Sequence, residues 1–387
     1  MVPAVAPVIA PRRARAPLAP GLLASGLLAL GLLAALPGGA AAQGGPKLKV
    51  PPGFAIDVFA DKVGSVRFMA VDPAGTLLVS EPSAGRVLAL PDKNGDGKAD
   101  SVQTVVTGLD QPHGLAFREG ALYVAETSRV QRFAYDPTTM KATQPTPLAR
   151  LPSGGGHWTR TVVFGADGGM YVSVGSSCNV CRESDPRRAA VLRFKPDGSG
   201  ERIFASGMRN AVGLAFHPTT GVLWATVNER DWRGDDVPPD YVTEVREGTF
   251  HGWPDCLVVR GRAIADPSFA KGEACDKVTP PTVEVQAHSA PIGLAFYTGT
   301  QFPEDYRGSL FVAYRGSWNR TLPTGYKIVR IPFRDGQPAG VPEDFATGWL
   351  EGSSSWGRPV DLAVGRDGAL YLSDQGAGRI YRIIHRP

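Results

Sequence analysis

The stretch GLAFREGALYVAE, Gly114 to Glu126, sets an apolar run before a polar, glycine-containing turn and a second apolar run after it. Alternation of this kind reads as two short strands joined by a tight turn. The same pattern recurs as FMAVDPAGTLLVSE from Phe68, TVVFGADGGMYVSVG from Thr161 and GLAFHPTTGVLWATV from Gly213. Two further copies are GLAFYTGTQFPEDYRGSLFVAY from Gly293 and DLAVGRDGALYLSD from Asp361. The first four copies start 46 to 52 residues apart, close to the period of a four-stranded propeller blade. Later intervals are longer and carry extra loops, including a cysteine-bearing stretch from His251 to Lys277. One such unit buries too little apolar surface to fold alone, so neighbours must stack. Six units closed in a ring leave no sheet edge exposed. The expected fold is all-β, a six-bladed β-propeller; a sandwich or a parallel β-helix does not account for this spacing.

Composition agrees. The chain of 387 residues has 47 glycines and 34 prolines, too many for a helical protein. Residues 1–42 stand apart: Arg12, Arg13 and Arg15, no acidic group, then the apolar run GLLASGLLALGLLAALPGG and a small-residue ending before Gln43. This is the pattern of an export signal cleaved after Ala42, with a membrane anchor as the alternative. Cleavage leaves residues 43–387 as one propeller domain with no membrane span, periplasmic or secreted. It also lowers the formal net charge from +4 to +4 − 3 = +1. A near-neutral chain gives no electrostatic case for nucleic acid or a membrane surface.

Four cysteines in an exported chain imply two disulfides, with three connectivities open. Sequence proximity favours Cys178–Cys181 and Cys256–Cys275. The CNVC pair is alternatively a redox dithiol, and all four thiols are alternatively metal ligands. Haem attachment is excluded, because Arg182 stands where that motif needs histidine.

Polar residues recur just before each repeat's first strand: Arg67, then Gln111 and His113, then His157 and Arg160 in GGGHWTR. Arg209 and Asn210 precede the fourth, His288 the fifth and Arg358 the sixth. Loops are usually polar, which accounts for any one of these but less well for their common offset. In a ring, these positions converge on one end of the channel, a concave site suited to a small ligand. Several arginines suit a ligand with multiple carboxylates. A histidine among them has its pKa pushed down by the positive charge, and is then a neutral proton acceptor near pH 7.

From about Lys47 to the C-terminus the chain resembles the PQQ-dependent glucose/sorbosone dehydrogenase family, nearest its sorbosone and pyranose dehydrogenase branch. The resemblance is carried by GGGHWTR, GSSCNVCRESDPRRA, GMRNAVGLAF, GTFHGWPDC, APIGLAFYTGTQFPEDYRGSLFVAYRGSWNR and GALYLSDQGAGRIYRI. It implies a six-bladed propeller binding pyrroloquinoline quinone (PQQ), a tricarboxylate ortho-quinone, together with Ca²⁺. It also implies a sugar substrate and an electron acceptor, a quinone or a cytochrome. By resemblance His157 is the base that takes the sugar hydroxyl proton, and Arg209 stabilises charge developing on the quinone oxygen. Asn210 contacts the same edge; Gln111, Arg160 and Arg358 contact the cofactor. Arg315, Arg320 or Lys327 adds a further cation. The loop NERDWRGDD lacks the glycine–proline pair that offers Ca²⁺ its carbonyls in relatives, and Arg230 and Asp231 are expected in that place. Val360 stands where some relatives have a second arginine.

A second calcium candidate is DKNGDGKAD, which spaces Asp92, Asn94, Asp96 and Asp100 like an EF-loop around Gly97. Gln103 replaces the usual glutamate at position twelve, so a solvated acidic turn is the alternative. Two other functions stay open. A Ca²⁺-dependent lactonase-type hydrolase would draw on Glu81, Asn228 and Asp231, and a non-catalytic propeller would bind glycans or proteins on a loop face. A nicotinamide enzyme and a serine hydrolase are disfavoured, since neither a glycine-rich strand-to-helix fingerprint nor G-x-S-x-G occurs.

Overall fold

A computed structural model describes residues 48–269 and 272–386. The export-signal expectation falls outside them. Six four-stranded antiparallel sheets follow one another along the chain. Their innermost strands are Met69–Val71, Leu115–Arg118, Val162–Phe164, Ala211–Phe216, Pro291–Phe296 and Pro359–Val364. Each of these contacts the next and the last contacts the first, which closes the ring. All six repeats begin a blade, as their spacing predicts.

The ring is sealed by a strand the repeats do not reveal. Phe54–Ala60 pairs antiparallel with Arg379–His385 and becomes the outermost strand of the sixth blade. The chain's two ends thereby hold one sheet together. Phe54 packs its ring against Phe302, Tyr306, Phe345 and His385 at centroid distances of 4.8–5.1 Å.

Second strands such as Leu77–Glu81, Leu223–Val227 and Leu370–Asp374 are buried along their whole length, because neighbouring blades cover both faces. Their hydroxyls are accounted for by hydrogen bonds between blades. Ser80 Oγ donates to His113 O, Thr226 Oγ1 to Ile292 O and Ser373 Oγ to Arg67 O, at 2.6–2.8 Å. A buried hydroxyl costs stability unless it is paired, so each also fixes how two blades meet.

The long interval after the fourth repeat carries the hairpin Cys256–Val259/Arg262–Ala265. Both expected disulfides form, Cys178–Cys181 and Cys256–Cys275, which removes thiolate metal binding and a free dithiol. Among the described residues no helix is long and apolar enough to cross a membrane.

Candidate active site

Phe68, Val212, Ile292 and Val360 come from four different blades and form one apolar cluster at the ring's centre. Val360 is fully buried in it, so this position serves packing. Val212 and Ile292 also line a cavity of about 340 Å³, whose walls are the segments leading into the innermost strands. Arg67, His157, Arg209, Asn210, His288 and Arg315 all face it. Residues far apart in sequence therefore meet around one axis.

The GGGHWTR loop explains its own composition. Gly154 and Gly155 adopt φ of +81° and +83°, and a side chain on Gly155 would lie 2.5 Å from Ser177 O. Two buried guanidiniums grip the loop through its carbonyls. Arg188 Nη2 donates to Ser153 O and Gly154 O at 2.6 and 2.9 Å. Arg160 donates to His157 O, Thr159 O and Pro152 O at 2.6–2.9 Å. Arg160 is thus a support beneath His157 and not a cavity contact: three loop carbonyls, two of them in buried bonds, claim its guanidinium.

His157 Nδ1 lies 2.8 Å from Ser176 O and 2.9 Å from Ser176 Oγ. A carbonyl only accepts, so the proton sits on Nδ1. The Ser176 hydroxyl donates to Cys178 O at 2.6 Å, which leaves its oxygen as a second acceptor for the ring. Nε2 then carries the free lone pair and has no protein partner among the described residues. Burial, followed by the positive charges of Arg209, Arg160 and Arg188, pushes the His157 pKa down to about 3. The neighbouring charge is legible in the sequence; the burial that outweighs it is not. The ring is neutral at pH 7.

Arg209 shares the cavity with His157, but every donor of its guanidinium is engaged. Nε meets Asn179 O at 3.0 Å, Nη1 meets Asn228 O and Glu229 O at 3.2 and 2.7 Å, and Nη2 meets Asn179 Oδ1 and Asp231 Oδ2 at 3.0 and 2.7 Å. Asp231 in turn accepts from Asn319 Nδ2 at 2.8 Å. Asn210 stands differently: its Oδ1 is buried without a partner, as are Asn319 Oδ1 and Arg67 Nε. Groups left so in a cavity wall are ready for a ligand.

Several expected site residues lie elsewhere. The Arg230 side chain turns away to a buried pair with Asp266 at 2.5 Å, so only Asp231 of that pair faces the cavity. Gln111 is exposed and borders an adjoining hollow that shares Trp158 and Gln375 with the main cavity. Arg358 lies over the Tyr326 ring at 5.3 Å, behind Arg315. Arg320 binds loop carbonyls of Asp235 and Ala287, and Lys327 pairs with Asp344 at 2.5 Å on the blade. Arg315 is therefore the cation that reaches the cavity. His113 is fully buried: its ring lies tilted against Phe68 at 4.1 Å, accepts from Arg67 Nη2 at 3.2 Å and donates to Arg160 O at 3.1 Å. Glu81, needed for a carboxylate ring, is paired with Arg86 at 2.6 Å outside the cavity.

The DKNGDGKAD loop spends its oxygens on itself. Asp92 accepts from the amides of Gly95, Asp96 and Gly97, Asn94 from Asp96, Asp96 from Lys98 and Asp100 from Lys93, at 2.7–3.2 Å. Among the described residues, the one cluster of three potential metal-ligating side chains is Cys178, Cys181 and Glu183, and its sulfurs are in a disulfide. These bonds hold the loop as an acidic turn with Asn94, Asp96 and Asp100 exposed.

The sequence reading missed other contributors. Gln375 Oε1 accepts from Arg67 Nη1 and Arg315 Nε, both at 3.1 Å, and so spaces the two cations. Gln375 lies within the closing motif SDQGAGRI, which gave a place to look but not a role. Glu229 and Asp240 line the cavity as buried carboxyls, each raised to about 7 chiefly by burial. They sit beyond the second strand, where no repeat offset pointed. Trp318 lines the mouth and meets Trp232 edge-on at 5.2 Å; both indoles are about two-thirds exposed.

Comparison with known proteins agrees with this fold. The TrAA12-like family model matches residues 48–386. A pyrroloquinoline quinone-dependent pyranose dehydrogenase of Coprinopsis cinerea is 25% identical over 87% of this chain, which spans 54% of that longer protein. An uncharacterised protein of Borreliella burgdorferi is 28% identical, over 87% of this chain and 91% of its own length. Two solved structures share the fold. The holo PQQ domain of the Coprinopsis cinerea pyranose dehydrogenase superposes with TM-score 0.76 at 23% identity, over 88% of this chain and 97% of that one. A calcium structure of the Trichoderma reesei family AA12 enzyme gives 0.78 at 21%, over 88% and 97%. With the matched model running from the first strand to the last, the chain belongs to the TrAA12-like family, among the PQQ-dependent sugar dehydrogenases.

Proposed function

We propose that the protein is an exported quinoprotein dehydrogenase that oxidises an aldose or a related sugar aldehyde or alcohol, with PQQ and Ca²⁺ in the central cavity. The observation that carries this is His157: a neutral ring, its proton held on Nδ1 by Ser176 O, its Nε2 free beside three cavity-lining arginines. Oxidation of a carbinol carbon removes a proton and a hydride. A positioned neutral imidazole supplies the first of these needs.

The residues present fit the cofactor. Arg67, Arg209 and Arg315 crowd one desolvated space, and burial with the charge of Arg315 pushes the Arg67 pKa down to about 9. An anion with several carboxylates relieves that strain, and Arg67 and Arg315 are the groups to hold it. Asp231 and the unpartnered amide oxygens of Asn210 and Asn319 are the hard donors available to Ca²⁺. When bound, PQQ supplies the two-electron acceptor and Ca²⁺ a Lewis acid. The chain's own part is to accept the hydroxyl proton at His157 Nε2, to set a fixed charge at Arg209 and to keep water out over the floor of Val212 and Ile292. The indoles of Trp232 and Trp318 offer apolar faces to a sugar at the mouth. Two disulfides support export to an oxidising compartment. A lactonase-type reading loses Glu81, which lies elsewhere, and the carboxyls that do line the cavity are engaged: Asp231 pairs with Arg209, and Asp240 accepts from the Glu229 and Ala290 amides.

Reconstitution tests this. Purified protein given PQQ and Ca²⁺ is expected to reduce an artificial dye with at least one sugar of a panel. His157→Ala is expected to lose about 10²- to 10⁴-fold in turnover, the usual worth of a general base, while binding PQQ within a few-fold of wild type. Absence of PQQ binding by calorimetry refutes the cofactor assignment. Unchanged turnover in the variant removes His157 from the base role.

A further inference from the structure

The loop closed by Cys178 and Cys181 touches the surroundings of both reactive side chains. On one side, Cys178 O takes the hydroxyl hydrogen of Ser176 at 2.6 Å, and so leaves that oxygen free to accept from His157 Nδ1. On the other side, Asn179 gives Arg209 two acceptors, its backbone oxygen to Nε and its Oδ1 to Nη2, both at 3.0 Å. Asn179 also clasps Asp231: Oδ1 accepts from the Asp231 amide at 2.8 Å and Nδ2 donates to Asp231 O at 3.2 Å. One amide side chain therefore holds both partners of the Arg209–Asp231 pair in register. The loop is itself braced from behind, where Trp253 Nε1 donates to Asn179 O at 3.1 Å and Arg182 pairs with Asp255 at 2.5 Å.

We infer that Asn179, presented by the Cys178–Cys181 disulfide loop, is the positioning residue that aligns Arg209 with Asp231 in the cavity wall. The catalytic part of this inference rests on the function proposed above; the positioning part does not. A guanidinium on a long flexible stem has many rotamers, and a planar fork is held only when acceptors lie in its plane on two edges. Asn179 supplies the Nε/Nη2 edge. The Asn228 and Glu229 carbonyls supply Nη1. Removing the amide leaves the backbone oxygen in place but takes away the Nη2 acceptor and both bonds to Asp231. The disulfide matters because a four-residue loop with no helix or strand of its own otherwise pays entropy to keep Asn179 facing inward.

Two measurements on the purified protein decide this. The first is the crystal structure of cofactor-free Asn179→Ala. It is expected to show the Arg209–Asp231 contact opened beyond 4 Å with the blades unchanged; a retained pair at its present 2.7 Å overturns the positioning. The second is steady-state dye reduction with PQQ and Ca²⁺. Asn179→Ala is expected to lose at least tenfold in kcat, with sugar KM within twofold and melting temperature within about 3 °C of wild type. A loss seen only in melting temperature, with kcat kept, marks a merely structural residue and overturns the catalytic part. The double variant Cys178→Ser/Cys181→Ser is expected to show the same split, and Cys256→Ser/Cys275→Ser to retain kcat. Should wild type itself show no PQQ-dependent turnover, the proposed function falls, while the crystal structure still decides the positioning.

Discussion

Gly175 places a backbone Cα where no side chain fits, between the two residues on which the proposed chemistry leans. A Cβ built there lies 2.7 Å from His157 Cβ and closer still to Asn210 Oδ1. Its φ is outside the left-handed region, so Gly175→Ala imposes no backbone strain, only this collision. Restoring an ordinary 3.4 Å contact requires His157 to retreat by 3.4 − 2.7, about 0.7 Å, with Asn210 moving as well. Overpacking of this size costs about 1–3 kcal/mol of stability, which a large propeller tolerates. Catalysis tolerates it less, since a 1 Å misplacement costs about 100-fold. Gly175→Ala is expected to remain folded, to lose about 30- to 100-fold in kcat for dye reduction, and to bind PQQ with altered affinity because Asn210 shifts. Gly156→Ala is the control: it also neighbours His157, but its Cβ meets only Ser177 O at 3.8 Å. Activity in Gly175→Ala within threefold of wild type, at a temperature where both are folded, refutes the placement of His157 and Asn210 as reacting and binding groups. Equal losses in both glycine variants refute the geometric cause.

Two further outcomes probe the scaffold and the cavity wall. Phe54→Ala is expected to cost about 2 kcal/mol, roughly half the price of a fully buried phenylalanine, because this half-buried ring anchors the closing strand; a urea-midpoint change worth less than 0.5 kcal/mol contradicts it. Glu229 is raised from 4.5 to about 7 by burial, so its contribution to stability is present below about pH 4.5 and lost as pH rises through about 7. Glu229→Gln stays neutral and keeps an acceptor for the Arg230 amide, now 3.1 Å from the carboxylate. The variant is therefore expected to gain about 1–3 kcal/mol relative to wild type between pH 5 and pH 8 in denaturant titrations. A difference that is constant across pH denies the buried carboxyl its shift.

The ring was legible in the sequence because each blade repeats the same local problem. A short apolar strand, a tight turn and a second strand leave the same mark six times, and that periodicity needs no tertiary information. The convergence of Arg67, His157, Arg209, Asn210 and His288 followed from it, since equal offsets in equal repeats share one end of the channel. The closing strand Phe54–Ala60 was not legible, because its partner Arg379–His385 lies at the other end of the chain and no repeat precedes it.

Sequence alone therefore determined the architecture, favoured the disulfide pairing that forms and marked several of the polar residues that line the channel. Tertiary structure decided which way their side chains point. Arg160 and Arg209 look alike in sequence, yet carbonyls of its own loop claim the first, while the second joins Asp231 in the wall. Arg230 and Asp231 are neighbours, yet one turns to Asp266 and the other to the cavity. The reason is that a charged side chain goes where its buried partners are: carbonyls of its own lead-in loop for Arg160, and for Arg209 and Arg230 loops distant in sequence that no local pattern encodes.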